Sequence, residues 1–322
     1  MTHNEQSVKG RLPGPRSFYR DDSGDPLREN FYSLLRRSYQ SAKRAGKGLE
    51  AYFAIVRTLN QFCAQPWVQS TVYPGESAVV QRFLAATGLP INDAQATITR
   101  SLAAHACARV FGETLMTLPR NEFAALCAVS GKEHLVTALA SGRGVVIAHT
   151  HTMLTELFWS WLAFEGIAPG ITLWQWTFSK DRSEFADPKI RAIESARELH
   201  AAIGLLRAGG LVHALADGQK GLQQVEVPVW NRLRIYRTGF ATLAVSAKAA
   251  VLSAAVLVRA DGRILIKIDA PFDEPPPDRD RTQQTEWLVR QYAERHGKLW
   301  AERPGNIPWF HMKLHVTFPE LV

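Results

Sequence analysis

Short apolar runs alternate with helical segments through the second half of the chain. Five runs have the length and β-branched composition of buried strands: GVVIAH (144–149), ITLWQWTF (171–178), GLVHALAD (210–217), AVLSAAVLVR (250–259) and RILIKIDA (263–270). Segments with helical periodicity lie between or after these strands, at 154–166, 187–209, 237–248 and 282–302. Strands that alternate with helices predict an α/β fold, with a mostly parallel or mixed central sheet flanked by helices.

The first half of the chain has a different pattern. Apolar residues recur at intervals of three and four between residues 28 and 141, which predicts a helical N-terminal region. Residues 1–27 mix Gly, Pro and charges and are expected to be a flexible leader. The α/β core is then predicted at 142–322, and 28–322 is expected to form one compact domain.

The charge of the chain limits the kinds of molecule that it is expected to bind. A formal net charge of +8 favours an anionic partner, such as a nucleic acid, an anionic membrane surface or an acidic carrier protein. Basic residues are spread along the chain rather than interleaved with aromatics on one face, so nucleic-acid binding is not expected. The helix predicted at 29–45 is basic and amphipathic, which fits either a membrane surface or a solvated face.

The cellular location is predicted from what the sequence does and does not contain. The three cysteines, Cys63, Cys107 and Cys127, are scattered and odd in number, which indicates a reducing compartment. No apolar stretch is long enough to span a bilayer, and the leader has no apolar core typical of a signal peptide. We therefore expect a cytoplasmic protein that contacts a membrane peripherally.

His149 and His151 end the first predicted strand. Residues two apart on a strand point to the same face, so this pair can supply two metal ligands. A metal-dependent hydrolase that uses His149 and His151 is therefore one hypothesis, although no further ligand follows at nearby spacing.

His151 and Glu156 form a second arrangement. On one continuous helix, residues five apart point in different directions and do not meet. If the helix starts near Thr152 or Met153, His151 lies in the turn and Glu156 in the first helical turn, where its carboxylate can orient the imidazole. This spacing fits a general-base dyad, and it also fits a glutamate that only favours the helix N-terminus.

Several ordered segments resemble one known family. The segments are SGKEHLVTALASGRGVVIAHTHTMLTELF (130–158), LRAGGLVHALADG (206–218), VPVWNRLRIYRTGFATLAVSAKAAVLSAAVLVR (227–259) and IPWFHMKL (307–314). Together they are similar to the bacterial lipid A biosynthesis (late) acyltransferases of the lysophospholipid acyltransferase superfamily, over residues 122–315. That family has a histidine followed five residues later by Asp or Glu, the spacing of His151 and Glu156.

The resemblance implies an O-acyltransferase with no cofactor. An acyl thioester, acyl-ACP or acyl-CoA, would be the co-substrate, and a hydroxyl of a glycolipid or lipid-linked saccharide would be the acceptor. His151 would act as the general base and Glu156 would orient it. The enzyme would then work peripherally on the cytoplasmic face of the inner membrane. Family members usually have an N-terminal membrane-anchoring segment, and this sequence is expected to have none.

Further residues are candidates for substrate binding. Asp217 ends a predicted strand beside a glycine, where parallel sheets place pocket residues, and it can equally be an ordinary turn residue. Arg237, Thr238 and Gly239 match the family's Thr-Gly segment, in which the glycine can allow close packing and the threonine can cap a helix. Two basic residues, Lys180 and Arg182, are candidates to bind a phosphate. Two aromatic residues, Trp159 and Trp176, are candidates to line a groove for the acyl chain.

Overall fold

The computed structural model describes residues 26–88, 93–167, 171–172, 191–192, 196–218, 223–230 and 232–317. The strands in this part of the chain are β1 (Cys127–Ser130), β2 (Val145–His149), β3 (Ile171–Thr172), β4 (Arg191–Ala192), β5 (Leu211–Leu215), β6 (Gln224–Val229), β7 (Arg232–Arg237), β8 (Ala250–Val258) and β9 (Ile264–Ile268). Seven of them form one sheet in the order β1-β9-β8-β2-β5-β3-β4, and β6 and β7 pair as a separate antiparallel hairpin.

The helices in the same residues lie both before and between these strands. They are α1 (Pro26–Arg44), α2 (Gly48–Cys63), α3 (Pro74–Thr87), α4 (Ala94–Leu115), α5 (Arg120–Leu126), α6 (Lys132–Ala140), α7 (Leu157–Phe164), α8 (Ala196–Arg207), α9 (Gly239–Ala247), α10 (Arg281–Glu302) and α11 (Trp309–Thr317). A π-helical turn at Val68–Val72 and a 3₁₀ turn at Pro304–Asn306 complete the helical structure that is described.

The sheet confirms the predicted α/β class. Every pair in it is parallel except β8 with β9, which run antiparallel. All five residues of β2 are buried because neighbouring strands and helices cover both faces, and this explains its uninterrupted apolar sequence. Gly144 precedes β2 where a Cβ would lie 2.1 Å from the Leu206 carbonyl oxygen, so the tight approach of α8 to this strand requires glycine.

Two predicted helices need correction, and three further strands were not predicted. The helix predicted at 187–209 begins at Ala196, and residues 191–192 are instead the edge strand β4. Helix α7 begins at Leu157 rather than near Thr152, because a turn with backbone bonds such as Leu157 N–H to the Leu154 carbonyl occupies the residues before it. Strand β1 and the hairpin β6–β7 were not predicted. Strand β1 is only four residues long, whereas β6 does have the alternation of exposed and buried residues that is typical of a half-buried strand.

The N-terminal helices and the sheet share one hydrophobic core. A single cluster of buried side chains joins Tyr32 and Leu59 of the helical region to Val145 of β2 and Trp300 of α10. Strand β1, although it lies within 28–141, pairs with β9 in the central sheet. A second cluster packs α9 and α10 on the sheet through residues such as Phe240 and Val289.

Helix α1 presents a basic face, which fits either a membrane surface or a solvated face of the protein. Arg37, Arg44 and Lys47, which follows the helix, are exposed, and Leu34 is 54% exposed beside them. Tyr32 on the opposite face is buried against the remaining helices. Among the described helices, none is long and apolar enough to cross a membrane.

Candidate active site

The register of β2 and β5 places His151 opposite Asp217. His149 is the register partner of Leu215 at the carboxyl ends of these two parallel strands. The pairing continues one residue further, where Ala216 N–H donates to the His149 carbonyl at 2.9 Å. His151 and Asp217 each follow a strand end by two residues, so both side chains lie at the carboxyl edge of the sheet, where parallel sheets place their binding sites.

Asp217 holds both the ring and the backbone of His151. The distance from His151 Nδ1 to Asp217 Oδ1 is 2.6 Å, and the backbone N–H of His151 donates to Oδ2 at 3.0 Å. The Asp217 side chain is completely buried, whereas 13% of the His151 side chain is exposed. An ionised carboxylate can only accept, so the proton of a neutral His151 ring lies on Nδ1 and Nε2 keeps its lone pair. This is the tautomer that a general base requires.

Two further histidines face the same carboxylate. His296 of α10 and His311 of α11 place their Nε2 atoms 3.6 Å and 3.8 Å from Asp217 Oδ2. The His311 ring also lies against the His151 ring, with centroids 4.8 Å apart. Phe310, 42% exposed, contacts the His151 ring edge-on and forms part of the rim of the site. One buried aspartate is therefore surrounded by three imidazoles.

Electrostatics keep Asp217 ionised and its buried neighbours neutral. Burial alone would raise the pKa of Asp217, but its electrostatic interactions with His151 and His311 and the hydrogen bond from His151 hold this pKa well below its usual range. Burial, followed by the charge of Arg234, lowers the pKa of His296 to about 4. Burial also holds the pKa of His311 well below its usual range, although Asp217 opposes the shift.

The side chain of His149, the last residue of β2, is buried in the core. Its side chain is fully buried and its Nδ1 is 2.8 Å from Nε2 of the buried His213. Among the described residues, His149 belongs to no group of three or more convergent metal-ligand atoms. The ligand atoms that do converge belong to His151, Asp217 and His311, and all of them lie within 4.8 Å of one another. A metal ion, if one binds, would use this set.

The buried pair of His149 and His213 makes the fold sensitive to acid. Burial, and then the charge of His151, lowers the pKa of His149 to about 3, and burial holds the pKa of His213 well below its usual range. Between about pH 6.5 and pH 3 the unfolded chain binds protons that the folded chain excludes. The free energy of unfolding therefore decreases as the pH is lowered through this range. We expect the double variant His149→Leu, His213→Leu to lose a few kcal/mol less unfolding free energy on acidification than the wild type, since each pKa unit is worth about 1.4 kcal/mol.

Urea unfolding of the wild type and the double variant between pH 7.5 and 4.5 measures this effect. The exposed His200 provides a control, because His200→Leu should keep the wild-type pH dependence. Some slope will remain in the double variant, as His296 and His311 are also held neutral. An unchanged slope in the double variant would rule out the pair as the source of acid sensitivity.

Glu156 lies directly before helix α7, at its N-cap position, and is half-buried. The loop that joins it to His151 is closed by Thr155, whose Oγ1 accepts from Thr152 N–H at 2.9 Å and donates to the Thr152 carbonyl at 3.0 Å. The predicted orienting role of Glu156 stays a prediction. The carboxylate on His151 Nδ1 is that of Asp217, which the sequence marked only as a pocket residue.

The remaining candidates for substrate binding occupy different surroundings. Trp159 is 7% exposed and packs on the His213 ring, with centroids 4.3 Å apart. Arg237, at the end of the hairpin, donates to Gln224 Oε1 at 2.6 Å. Thr238 is the N-cap residue of α9, but its side chain makes no capping bond. Apart from the chain neighbours of Gly239 and the backbone of its own helix, no atom of the described residues lies within 4 Å of a Cβ added there.

Three predicted residues, Lys180, Arg182 and Trp176, lie outside the described residues. The sequence did not single out His296 or Arg234, which stand among ordinary helix and strand residues. The pairing of His151 with Asp217 did have a signal. Both VVIAH and LVHAL are followed, two residues later, by an ionisable side chain.

A comparison with protein families identifies the chain. A family model described as bacterial lipid A biosynthesis acyltransferase matches residues 92–315, about 30 residues more at the N-terminal end than the resemblance noted above. The match includes His151, Glu156, Asp217, His296 and His311, and it spans more than half of the sequence. No curated protein matches the chain. The protein therefore belongs to the bacterial lipid A biosynthesis acyltransferase family.

Proposed function

We propose that this protein transfers a fatty acyl group from an acyl thioester, acyl-ACP or acyl-CoA, to a hydroxyl of a glycolipid or lipid-linked saccharide. One observation supports this most directly. His151, with Nδ1 bonded to the buried Asp217, has the tautomer of a general base at the carboxyl edge of the sheet, within the region that matches the acyltransferase family. The family supplies the reaction class, and the geometry supplies a residue able to begin it.

The proposed reaction needs no covalent enzyme intermediate. His151 Nε2 accepts the proton of the acceptor hydroxyl, and the oxygen attacks the thioester carbonyl. The new C–O bond forms, the tetrahedral intermediate collapses, and the C–S bond breaks. The imidazolium then returns its proton to the departing thiolate, so an ester and a free thiol are released. Asp217 stabilises the imidazolium between these two transfers, and Glu156 is proposed to assist in orienting the ring.

The proposed acceptor implies contact with a membrane. A lipid-linked acceptor would be presented at a bilayer surface, and the enzyme is proposed to bind there peripherally, on the cytoplasmic face of the inner membrane. The exposed basic residues of α1, together with a net charge of +8, support contact with an anionic surface.

Mass spectrometry of lipid and glycan extracts tests the function. Extracts of cells that contain the wild-type protein are compared with extracts of cells that contain His151→Ala. We expect one acceptor species to gain the mass of an acyl chain only with the wild type, and purified protein should transfer a labelled acyl group from acyl-ACP or acyl-CoA to that species. If no lipid or glycan differs in acyl content, the proposed function is wrong.

Metal content separates this proposal from a metal-dependent hydrolase. The hydrolase alternative now depends on His151, Asp217 and His311, because these residues converge and His149 does not. The acyltransferase should work equally well before and after dialysis against a chelator. Stoichiometric bound zinc or iron, with activity that disappears on its removal and returns on its addition, would favour the hydrolase.

A further inference from the structure

We propose that His296 is a positioning residue, which holds Asp217 in the orientation that receives the Nδ1 proton of His151 and thereby tunes the basicity of His151. This inference rests on the proposed function, in which His151 is the base. His296 belongs to α10, distant in sequence from both residues of the pair, and its Nε2 faces Asp217 Oδ2 at 3.6 Å. Oδ1 of the same carboxylate accepts the proton of His151 Nδ1.

The hydrogen-bonding groups around His296 define where its proton lies. The carboxylate of Asp217 has only lone pairs to offer, so Nε2 of His296 must carry hydrogen to interact favourably with it. In a neutral ring Nδ1 is then an acceptor, and Tyr236 O–H donates to it at 3.0 Å. Burial raises the pKa of Tyr236 to about 12, so the phenol keeps the proton that it donates. A directed chain results, from Tyr236 through His296 to Asp217 and His151.

Arg234 keeps His296 in the neutral form that this chain requires. Its Nη1 lies 3.4 Å from His296 Nδ1 and 3.5 Å from Nε2, and its guanidinium also stacks over Trp300 at 4.6 Å. A buried cation at this distance opposes a second positive charge on the imidazole. Arg234 and His296 are 5% and 1% exposed, so water screens this interaction little.

Packing fixes the orientation of the His296 ring. Trp300 lies 4.3 Å from it on one side, and Tyr292 stacks on it with centroids 5.6 Å apart. Tyr292 also shares a 2.9 Å hydrogen bond with Thr150, the residue before His151. The aromatic side chains that hold His296 therefore also hold the backbone beside the proposed base, as expected for residues that support a catalytic geometry.

Two substitutions at position 296 separate positioning from simple packing. His296→Gln can keep an N–H donor near the position of Nε2, whereas His296→Met fills a similar volume with no donor. Without the donor, Asp217 becomes a stronger acceptor and stabilises the imidazolium of His151 more strongly. We expect His296→Met to move the acidic limb of the kcat/KM pH profile up by about one pH unit and to lower kcat roughly tenfold. His296→Gln should restore most of both values.

The titration midpoint of His151, followed by NMR of histidine-labelled protein, gives a readout that does not need activity. It should move upward in His296→Met and return towards the wild-type value in His296→Gln, while His200→Gln leaves it unchanged. If His296→Met does not fold, Tyr236→Phe removes the phenol donor with less change in packing and should move the midpoint in the same direction.

Unmoved midpoints in folded His296→Met and Tyr236→Phe would overturn the inference and leave His296 as a packing residue. The same would follow if Gln and Met reduced kcat equally without shifting the pH profile. A wild-type protein that transfers no acyl group would instead refute the proposed function, and the NMR titration would still report whether His296 acts on His151 through Asp217.

Discussion

Replacing His151 by alanine is expected to abolish acyl transfer while the protein remains folded. His151 is the partly exposed member of the pair, and its ring lone pair is on Nε2. Loss of a general base usually costs about 10²–10⁴-fold in rate. The fall should be in kcat, because the proton is transferred in the chemical step. Transfer of a radiolabelled acyl group from the thioester to the acceptor measures it.

His149→Ala provides the matched control for this experiment. The His149 side chain is fully buried against His213, so its replacement should reduce stability more than activity. Circular dichroism and thermal melting show whether each variant is folded. If His149→Ala is as damaging to transfer as His151→Ala, and activity follows bound metal, then His151 has been wrongly identified as a general base.

The second large effect is expected from Asp217→Asn. The substituted side chain would keep the size of the carboxylate, but its amide can donate to His151 Nδ1, which favours the tautomer with the proton on Nε2. The base would then lack the lone pair that removes the hydroxyl proton. We expect kcat to fall by about 10²–10⁴-fold, as large as the effect of a wrong tautomer in other histidine-based enzymes, while KM changes little.

Comparing Glu156→Gln with Asp217→Asn shows which of the two carboxylates assists His151. If Asp217 and Glu156 both assist His151, each variant should lose most of the activity, as the family pattern implies for Glu156. If Asp217 alone sets the tautomer, Glu156→Gln should retain much more activity than Asp217→Asn. Full activity in Asp217→Asn, with a folded protein, would contradict the role that we assign to Asp217. Steady-state kinetics of both variants at several pH values distinguish these results.

Much of the fold was predictable because its signals are local. Buried parallel strands are continuous apolar runs, so β2, β5, β8 and β9 were each located to within a few residues. The helix predicted at 187–209 included residues 191–192, because the helical pattern continues through the sequence of β4, and only pairing with β3 decides that these two residues are a strand. Strand β1 is too short to have a periodicity of its own.

The candidate site was predictable only in part. His151 was identified from its position after a strand and from the spacing to Glu156, and Asp217 from its position after another strand. Their direct contact depends on the register of β2 with β5, which is a long-range pairing. His296 and His311 had no comparable signal as partners of Asp217, since they come from α10 and α11 near the other end of the chain.

The sequence by itself determined the class of the fold, the family resemblance and His151 as the candidate base. These depend on apolar periodicity and on the residue types that follow strand ends, both of which can be read over short stretches. The tertiary structure placed the Asp217 carboxylate on His151 Nδ1 and buried the side chain of His149 in the core. Parallel pairing aligns residues 66 positions apart, and helix packing adds His296 and His311, so the partners of His151 are set by distances in space that local sequence patterns do not encode.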